Sequence, residues 1–197
     1  GSLPGGVSAS LVTDATSVSL NITSAVNALE WSGAANNQWD ITSVNWYDVN
    51  NGFNPVTYAQ SGGFGDAVTF DDNGGANPAV NITLAVTPAV MKVSGDGVNY
   101  TFSGAGKISG GATLVKTGFA TLTLGTANDF TGGTILGGGT ISLGNNVALG
   151  LGRVTITNGV LASDSAAART LTNDLTLGAN TGITLGNFIN TGTLTLA

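Results

Sequence analysis

Apolar and polar residues alternate along much of this chain. In the segment at residues 18–23, Val18, Leu20 and Ile22 are separated by single polar residues. A period of two is typical of a β-strand with one buried face, whereas helices repeat every 3.6 residues. The alternation recurs at Val68-Phe70, Val80-Ile82-Leu84-Val86, Leu122-Leu124, Ile141-Leu143, Val154-Ile156, Leu175-Leu177, Ile183-Leu185 and Leu194-Leu196. The pattern predicts an all-β protein.

Helix signals are nearly absent. Glycine interrupts almost every window, and a Gly inside a helix costs about 1 kcal/mol relative to Ala. Residues 163–169 are the one stretch that could form a helical turn, and we expect a loop there.

The second half of the chain is repetitive. Short apolar strands are separated by Gly-Gly, Asn-Gly, Gly-Asn or Ala-Asn, and Leu124, Leu143 and Leu161 follow one another at intervals of 19 and 18 residues. A period near 20 with turn residues between strands is typical of a β-solenoid, in which successive coils stack into one continuous core. A β-sandwich with Gly-rich loops is the alternative, but its turns usually come about every 8–12 residues.

Composition excludes several function classes. The chain has no Cys and no His, which excludes a catalytic Cys, a Ser-His-Asp triad, a disulfide and a thiolate or imidazole metal site. Five basic residues and a net charge of −6 argue against a nucleic-acid partner. No apolar run reaches the roughly 18 residues of a membrane-spanning helix, so membrane insertion is not expected.

Residues 110–143 carry a recognisable motif. They resemble the autotransporter-associated β-strand repeat of bacterial passenger domains, whose pattern is Gly-x-Leu-x-Lys-x-Gly-x-Gly-x-Leu-x-Leu, then Asn-x-Tyr/Phe-x-Gly-Gly-Thr, then Gly-x-Leu. The positions in register are Leu114, Lys116, Gly118, Leu122, Leu124, Asn128, Phe130, Gly132, Gly133, Thr134 and Gly139. Ala120 departs from the pattern, because the family usually has Gly there.

A second resemblance covers residues 29–72, where Leu-Glu-Trp, Gln-Trp-Asp, Val-Asn-Trp and Gly-Asp-Ala-Val-Thr-Phe-Asp-Asp follow one another. These segments look like the Trp-rich module that precedes β-strand repeats in very long bacterial surface proteins. Composition also shifts near residue 105, because 8 of the 11 acids and every Trp, Tyr and Pro precede it. We therefore expect three parts: 1–28, the tail of a preceding unit or an N-terminal strand; 29–103, a Trp-rich β segment capping the solenoid; and 104–197, β-helix repeats.

The resemblance implies a right-handed parallel β-helix that is secreted and is either held at the cell surface or released. It implies a structural or adhesive role without catalysis, with further repeats of a parent chain as neighbours. An isolated stretch of solenoid has two open ends, and unpaired strand edges seek partners. We therefore expect end-to-end self-association, or residues 3–28 folding back over one end.

Trp31, Trp39, Trp46 and Tyr47 form the main candidate binding cluster. One interpretation is a platform on which polysaccharide or surface glycan rings stack, with nearby Asn and Asp side chains binding the hydroxyls. The other is that the rings close one end of the solenoid, since each aromatic buries about 150–250 Å². Rings interlocked with Leu29, Val44 and Phe70 would favour the second interpretation, and the Trp positions in the resembling module favour it too.

Asp66, Asp71 and Asp72 form the densest acidic cluster. They are the candidate ligands for Ca²⁺, which takes 6–8 oxygen ligands. The alternative is a turn, because Asp72-Asn-Gly-Gly is strong turn chemistry. The same acids are the one plausible pair for glycoside hydrolysis, Asp66 with Asp71 or Asp72. Residues 1–104 offer only Lys92 as an accompanying base, so we expect no enzymatic activity and no obligatory cofactor.

Overall fold

The computed structural model describes residues 8–14, 16–24, 26–179, 182–186 and 192–197. Parallel strands stack into a β-solenoid of about six turns, and 3% of the chain is helical. The helical residues are two single 3-10 turns at Val49–Asn51 and Asp72–Gly74. The predicted all-β class and solenoid architecture are confirmed.

Two parallel sheets form two sides of the solenoid. Strands are numbered along the chain, and those of the first sheet are β3 (Ala28–Trp31), β9 (Ala67–Phe70), β12 (Val90–Val93), β15 (Thr113–Lys116), β17 (Thr134–Leu136), β19 (Val154–Ile156) and β22 (Leu175–Leu177). Those of the second sheet are β4 (Gln38–Trp39), β10 (Ala79–Ile82), β13 (Tyr100–Ser103), β16 (Thr121–Leu124), β18 (Thr140–Leu143), β20 (Gly159–Ser163) and β23 (Ile183–Leu185).

The third side is less regular. Its paired strands are β11 (Ala85–Val86) with β14 (Lys107–Ile108), and β21 (Arg169–Leu171) with β24 (Leu194–Leu196). Between these pairs the coils are joined by single backbone bonds, such as Asp129 N–H to the Ile108 carbonyl at 3.0 Å.

Antiparallel pairs occur only near the start of the described chain. Strands β5 (Trp46–Asp48) and β6 (Asn54–Val56) extend the first sheet beyond β3 in antiparallel order. A short hairpin joins β7 (Gln60–Ser61) to β8 (Phe64–Gly65). A separate hairpin consists of β1 (Ser8–Thr13) and β2 (Val18–Ser24), which confirms a strand at residues 18–23, although Val18 is 70% exposed rather than buried.

Alternation places every second residue in a continuous core. Along the first sheet, Met91 pairs with Leu114, Leu114 with Thr134 and Thr134 with Val154, and each of the four is at most 1% exposed. The paired residues are 23 positions apart at Met91–Leu114 and 20 positions apart at Leu114–Thr134 and Thr134–Val154. The core is therefore one uninterrupted column rather than separate clusters.

The repeat interval in the second sheet differs from the sequence interpretation. In the second sheet Leu143 pairs with Ser163, and Leu161 pairs with Ile141, so the interval is 20 residues rather than the 18 that separate Leu143 from Leu161. The same two sheets also run through position 104 without a break, because β9, β10, β12 and β13 stack directly on the later coils. Position 104 therefore lies within a continuous stack of coils. Residues 163–169 form a strand end and bends, as expected for a loop.

Candidate functional site

The three tryptophans occupy the first coil and its antiparallel extension. Trp31 lies on β3, Trp39 on β4 and Trp46 on β5, and Trp31 pairs directly with Trp46. All three rings are 0% exposed. The inward positions of two parallel sheets and one antiparallel strand therefore bring the three rings together.

Phe70 is the centre of the aromatic cluster. Its ring centroid lies 5.6 Å from that of Trp31, 5.4 Å from Trp39, 5.4 Å from Trp46 and 4.7 Å from Phe102. Most contacts in the cluster are tilted or edge-on, the geometry that the quadrupoles of aromatic rings favour. The cluster thus packs like a protein core and closes the first end of the solenoid.

Burial leaves the predicted sugar platform without a solvent-facing ring at Trp31, Trp39 or Trp46. Tyr47, the fourth residue of the predicted platform, is partly exposed. Leu29 and Phe70 belong to the cluster's core as expected, whereas Val44 is 42% exposed and lies outside it. The rings that reach solvent on the described part of the chain are mostly phenylalanines elsewhere, including Phe119 at 84%.

The cluster also contains polar atoms without partners. The indole nitrogen of Trp31 donates to the Asn77 carbonyl at 3.0 Å, but those of Trp39 and Trp46 and the hydroxyl of Tyr58 are buried without a hydrogen-bond partner. Burial, with the nearby charge of Asp66, raises the pKa of Tyr58 above its ordinary value. Buried polar groups without partners lower the stability of the folded chain, and we do not interpret them as a reactive site.

Asp66 is a buried structural acid. Its two carboxylate oxygens each accept a backbone N–H at 2.9 Å, one from Asn27 and one from Ala59. These bonds tie the segment before β3 to the β7–β8 hairpin. Both oxygens are therefore engaged in holding the chain.

Asp71 and Asp72 organise the corner that follows β9. Asp71 accepts the Asn73 N–H at 2.9 Å, which caps the short 3-10 turn. Asp72 accepts the backbone N–H groups of Gly97 and Val98 at 2.9 Å and that of Asp96 at 3.1 Å. These backbone bonds lower the pKa of Asp72.

The three acids do not converge. Asp66 and Asp71 flank opposite ends of β9, and five residues of extended chain span about 16 Å. Within the described ranges, no group of three or more acidic side chains is placed to hold a metal ion. The structure thus favours the turn interpretation at Asp71 and Asp72 and places Asp66 at the other end of β9.

Lys116 occupies an inward position that the sequence does not assign. It is 0% exposed, and its ammonium group donates to the corner carbonyls of Thr117, Gly118 and Gly138. Burial lowers the pKa of Lys116 to about 8, and the charge of Asp96 opposes the shift. This lysine therefore joins two successive corners of the solenoid.

Asn128 plays a similar part at another corner. Its side-chain oxygen accepts the Ile108 N–H at 2.9 Å, and its amide donates to the Ala148 carbonyl at 2.7 Å. The side chain therefore connects the coils before and after its own. Ala120, which departs from the repeat motif, is buried and has no positive φ, so Ala fits where the family pattern has Gly.

A buried asparagine, one of the polar side chains near the tryptophans in sequence, fixes the first corner. The side-chain oxygen of Asn45 accepts the N–H groups of Ala35 and Asn36 at 3.0 Å, and its amide donates to the Gln38 carbonyl at 2.8 Å. Asn45 is 0% exposed. Its position directly before Trp46 is the one sequence signal for this role.

Comparisons with protein-family models, curated proteins and solved structures found no match. None of the helical segments in the described part of the chain has the length and apolarity needed to span a bilayer.

Proposed function

We propose that this chain is a non-catalytic structural segment of a secreted bacterial surface protein, acting as a rigid β-solenoid spacer or display rod. The observation that carries the proposal is the uninterrupted core. Inward rows remain 0–1% exposed from Leu29 on β3 to Ile156 on β19, so each coil is packed on both sides. A rod of this kind transmits force through packed coils and sheet hydrogen bonds.

The corners support the same role. Asp72, Lys116 and Asn128 each bond backbone groups of a neighbouring coil, so the turns are tied along the axis as the strands are. Buried polar groups with satisfied hydrogen bonds make an arrangement rigid and specific. The chain has no Cys, so this rigidity needs no disulfide.

The surface location rests on the resemblance of residues 110–143 to autotransporter repeats and of residues 29–72 to the Trp-rich module. Export, display at the cell surface and adhesion are parts of the proposal that follow from that resemblance. The contacts of the motif residues support the proposal. Lys116 and Asn128 bond backbone carbonyls at the corners of the coils, and Phe130 is 0% exposed in the core. A spacer built from repeated coils needs a sequence motif that specifies each coil, and residues 110–143 carry such a motif.

Single-molecule stretching between the two chain ends tests the mechanical role. Released coils of 20–23 residues should lengthen the chain in steps of about 70–80 Å, because extended chain spans about 3.5 Å per residue. Extension at low force without discrete steps would contradict a rigid rod.

Polysaccharide assays on the same protein distinguish a spacer from a carbohydrate-binding module and from a glycan-cleaving enzyme. We expect no retardation in affinity gels loaded with plant, algal or microbial polysaccharides, and no release of reducing ends. If one polysaccharide retards the protein and Tyr47→Ala abolishes the retardation, the proposed function changes from a spacer to a carbohydrate-binding module. Release of reducing ends would contradict the non-catalytic role.

A further inference from the structure

An asparagine followed by glycine is a sequence at which the backbone can attack a side chain of the same protein. The attacking atom is the backbone nitrogen of the glycine, which has no side chain to hinder its approach to the asparagine amide. The chain contains three such pairs, Asn51-Gly52, Asn73-Gly74 and Asn158-Gly159. By sequence each pair is a candidate for deamidation, so the fold decides which of them can react.

Packing at the aromatic end restrains the pair at Asn73. The side-chain amide of Asn73 donates to the Glu30 carboxylate at 2.8 Å. Gly74 is buried, and a Cβ there would lie 2.3 Å from the Tyr100 hydroxyl and 2.7 Å from the Trp31 carbonyl oxygen. The backbone of Gly74 therefore has no room to rotate onto the Asn73 side chain while the aromatic end stays packed.

Stacking of the coils restrains the pair at Asn158. The N–H group of Gly159, which holds the attacking nitrogen, donates to the Gly182 carbonyl of the next coil at 2.9 Å. The side-chain oxygen of Asn158 is so close to Gly182 that a Cβ on that glycine would lie 2.2 Å from it. Reaction at this pair would first have to separate two coils.

The pair at Asn51 has neither restraint. It lies in the turn between β5 and β6, where Asn51, Gly52 and Phe53 are all exposed, and a Cβ on Gly52 would meet no atom within 4 Å. The Asn51 side chain makes no hydrogen bond within the described ranges, and its backbone carbonyl accepts one exposed bond, from the Asn54 amide at 2.6 Å. Phe53 has φ +57°, a conformation that residues with a side chain rarely adopt. A strained and uncovered turn opens at low cost, so its backbone is free to rotate.

We propose that Asn51 is a self-modification site, which converts to aspartate and isoaspartate while Asn73 and Asn158 stay intact in the folded chain. The Gly52 nitrogen gives its proton to solvent and bonds to the side-chain carbonyl carbon of Asn51, and the amide nitrogen leaves as ammonia. Water then opens the resulting succinimide ring at either carbonyl. One product is aspartate, and the other is isoaspartate, in which the backbone runs through the former side chain. The net reaction consumes a water molecule and releases ammonia, so its atoms balance without a metal or an oxidant.

The modification changes the surface and leaves the core as it is. It adds one negative charge to a chain whose net charge is −6, at a turn that also carries the capping carboxylate of Asp48. None of the residues at 49–55 is buried, so we expect the aromatic cluster and the strands around it to keep their packing.

Incubation of the whole folded chain at mildly alkaline pH, followed by tandem mass spectrometry of chymotryptic peptides, tests the proposal. Cleavage after aromatic residues and leucines places the three Asn-Gly pairs in separate peptides. We expect conversion at Asn51 to be at least about tenfold faster than at Asn73 or Asn158, because those two require local opening first. In urea, where the fold restrains none of the pairs, we expect the three rates to agree within about threefold.

Two variants serve as controls in the same assay. Asn51→Gln should abolish the fast conversion, whereas Asn50→Gln, at the neighbouring exposed position, should retain it. Circular dichroism checks that both variants remain folded. Conversion at Asn73 or Asn158 as fast as at Asn51 in the folded chain would overturn the proposal. So would an Asn51 that stays intact in the folded chain while all three pairs convert in urea, because that result indicates a turn that restrains its own asparagine.

Discussion

Replacing Trp46 with Ala should destabilise the whole first end of the solenoid. The side chain is 0% exposed, and its ring centroid lies 4.9 Å from Trp31, 5.4 Å from Trp39 and 5.4 Å from Phe70. Truncating a buried Trp to Ala typically costs about 3–5 kcal/mol, and edge-on aromatic pairs add about 0.5–1.5 kcal/mol each without being additive. We therefore expect a loss of at least about 4 kcal/mol.

That loss is large compared with the roughly 5–15 kcal/mol by which domains of this size are usually stable. Urea titration followed by far-UV circular dichroism measures it, with emission of the two remaining tryptophans as a second probe. Tyr47→Ala is the matched control, because the neighbouring side chain is partly exposed. We expect the control to lose less than about 1 kcal/mol.

Equal, small losses in both variants would refute the assignment of Trp46 to the core. A folded Trp46→Ala protein that has lost affinity for a polysaccharide would refute it more directly, since a ring with no exposed surface cannot stack on a sugar. Unfolding of Trp46→Ala with Tyr47→Ala intact is the result that the packing requires.

Three further predictions follow from the corners. Gly118 has φ +69°, and a Cβ there would lie 2.5 Å from the Gly95 carbonyl oxygen. Gly118→Ala should therefore lower the free energy of unfolding by more than about 2 kcal/mol, as measured by urea titration. The control Gly111→Ala, whose Cβ would meet no atom within 4 Å, should change it little. Because the pKa of Lys116 is about 8 in the folded chain and about 10.4 when unfolded, the folded chain binds fewer protons between these values. The free energy of unfolding of the unaltered chain should therefore rise by about 1 kcal/mol from pH 8 to pH 9, whereas that of Lys116→Met should not show this rise. Thermal unfolding of both proteins across this pH range tests the difference. The pKa of Asp72 is lowered, so its stabilisation is present above pH 3.8 and is lost as pH falls further; acid titration should show the advantage over Asp72→Asn disappearing there.

Strand positions were predictable because alternation is a local property. The apolar pairs at residues 68–70, 122–124 and 154–156 all lie on strands. Leu84, which the alternation also placed on a strand, lies directly before β11. Register was harder to predict. A slip of two residues keeps the same side chains facing inward, so Leu161 and Ser163 are both plausible partners for Leu143 by pattern alone. The structure selects Ser163, whose hydroxyl is buried and donates to the Ala167 carbonyl at 2.7 Å.

The candidate sites were less predictable than the strands. Caps and sugar platforms both use clustered aromatics, so the sequence could not choose between them for Trp31 or Trp39. Asp66 and Asp71 are close in sequence, but the intervening extended strand separates them, and proximity in the chain is therefore misleading. Lys116 was recognised as part of a motif, whereas its bonds to the Gly118 and Gly138 carbonyls depend on how two coils stack.

The aromatic cluster at the first end of the solenoid also sets an order of folding. Each coil contacts its immediate neighbours, so stability is close to a sum of nearest-neighbour terms along one dimension. The aromatic cluster around Phe70 concentrates the largest side chains in the first coils, and contacts about 20 residues apart in sequence let each later coil add quickly to the one before it. Folding should therefore begin at the aromatic cluster and add the coils in chain order, with amide exchange slowest near Phe70.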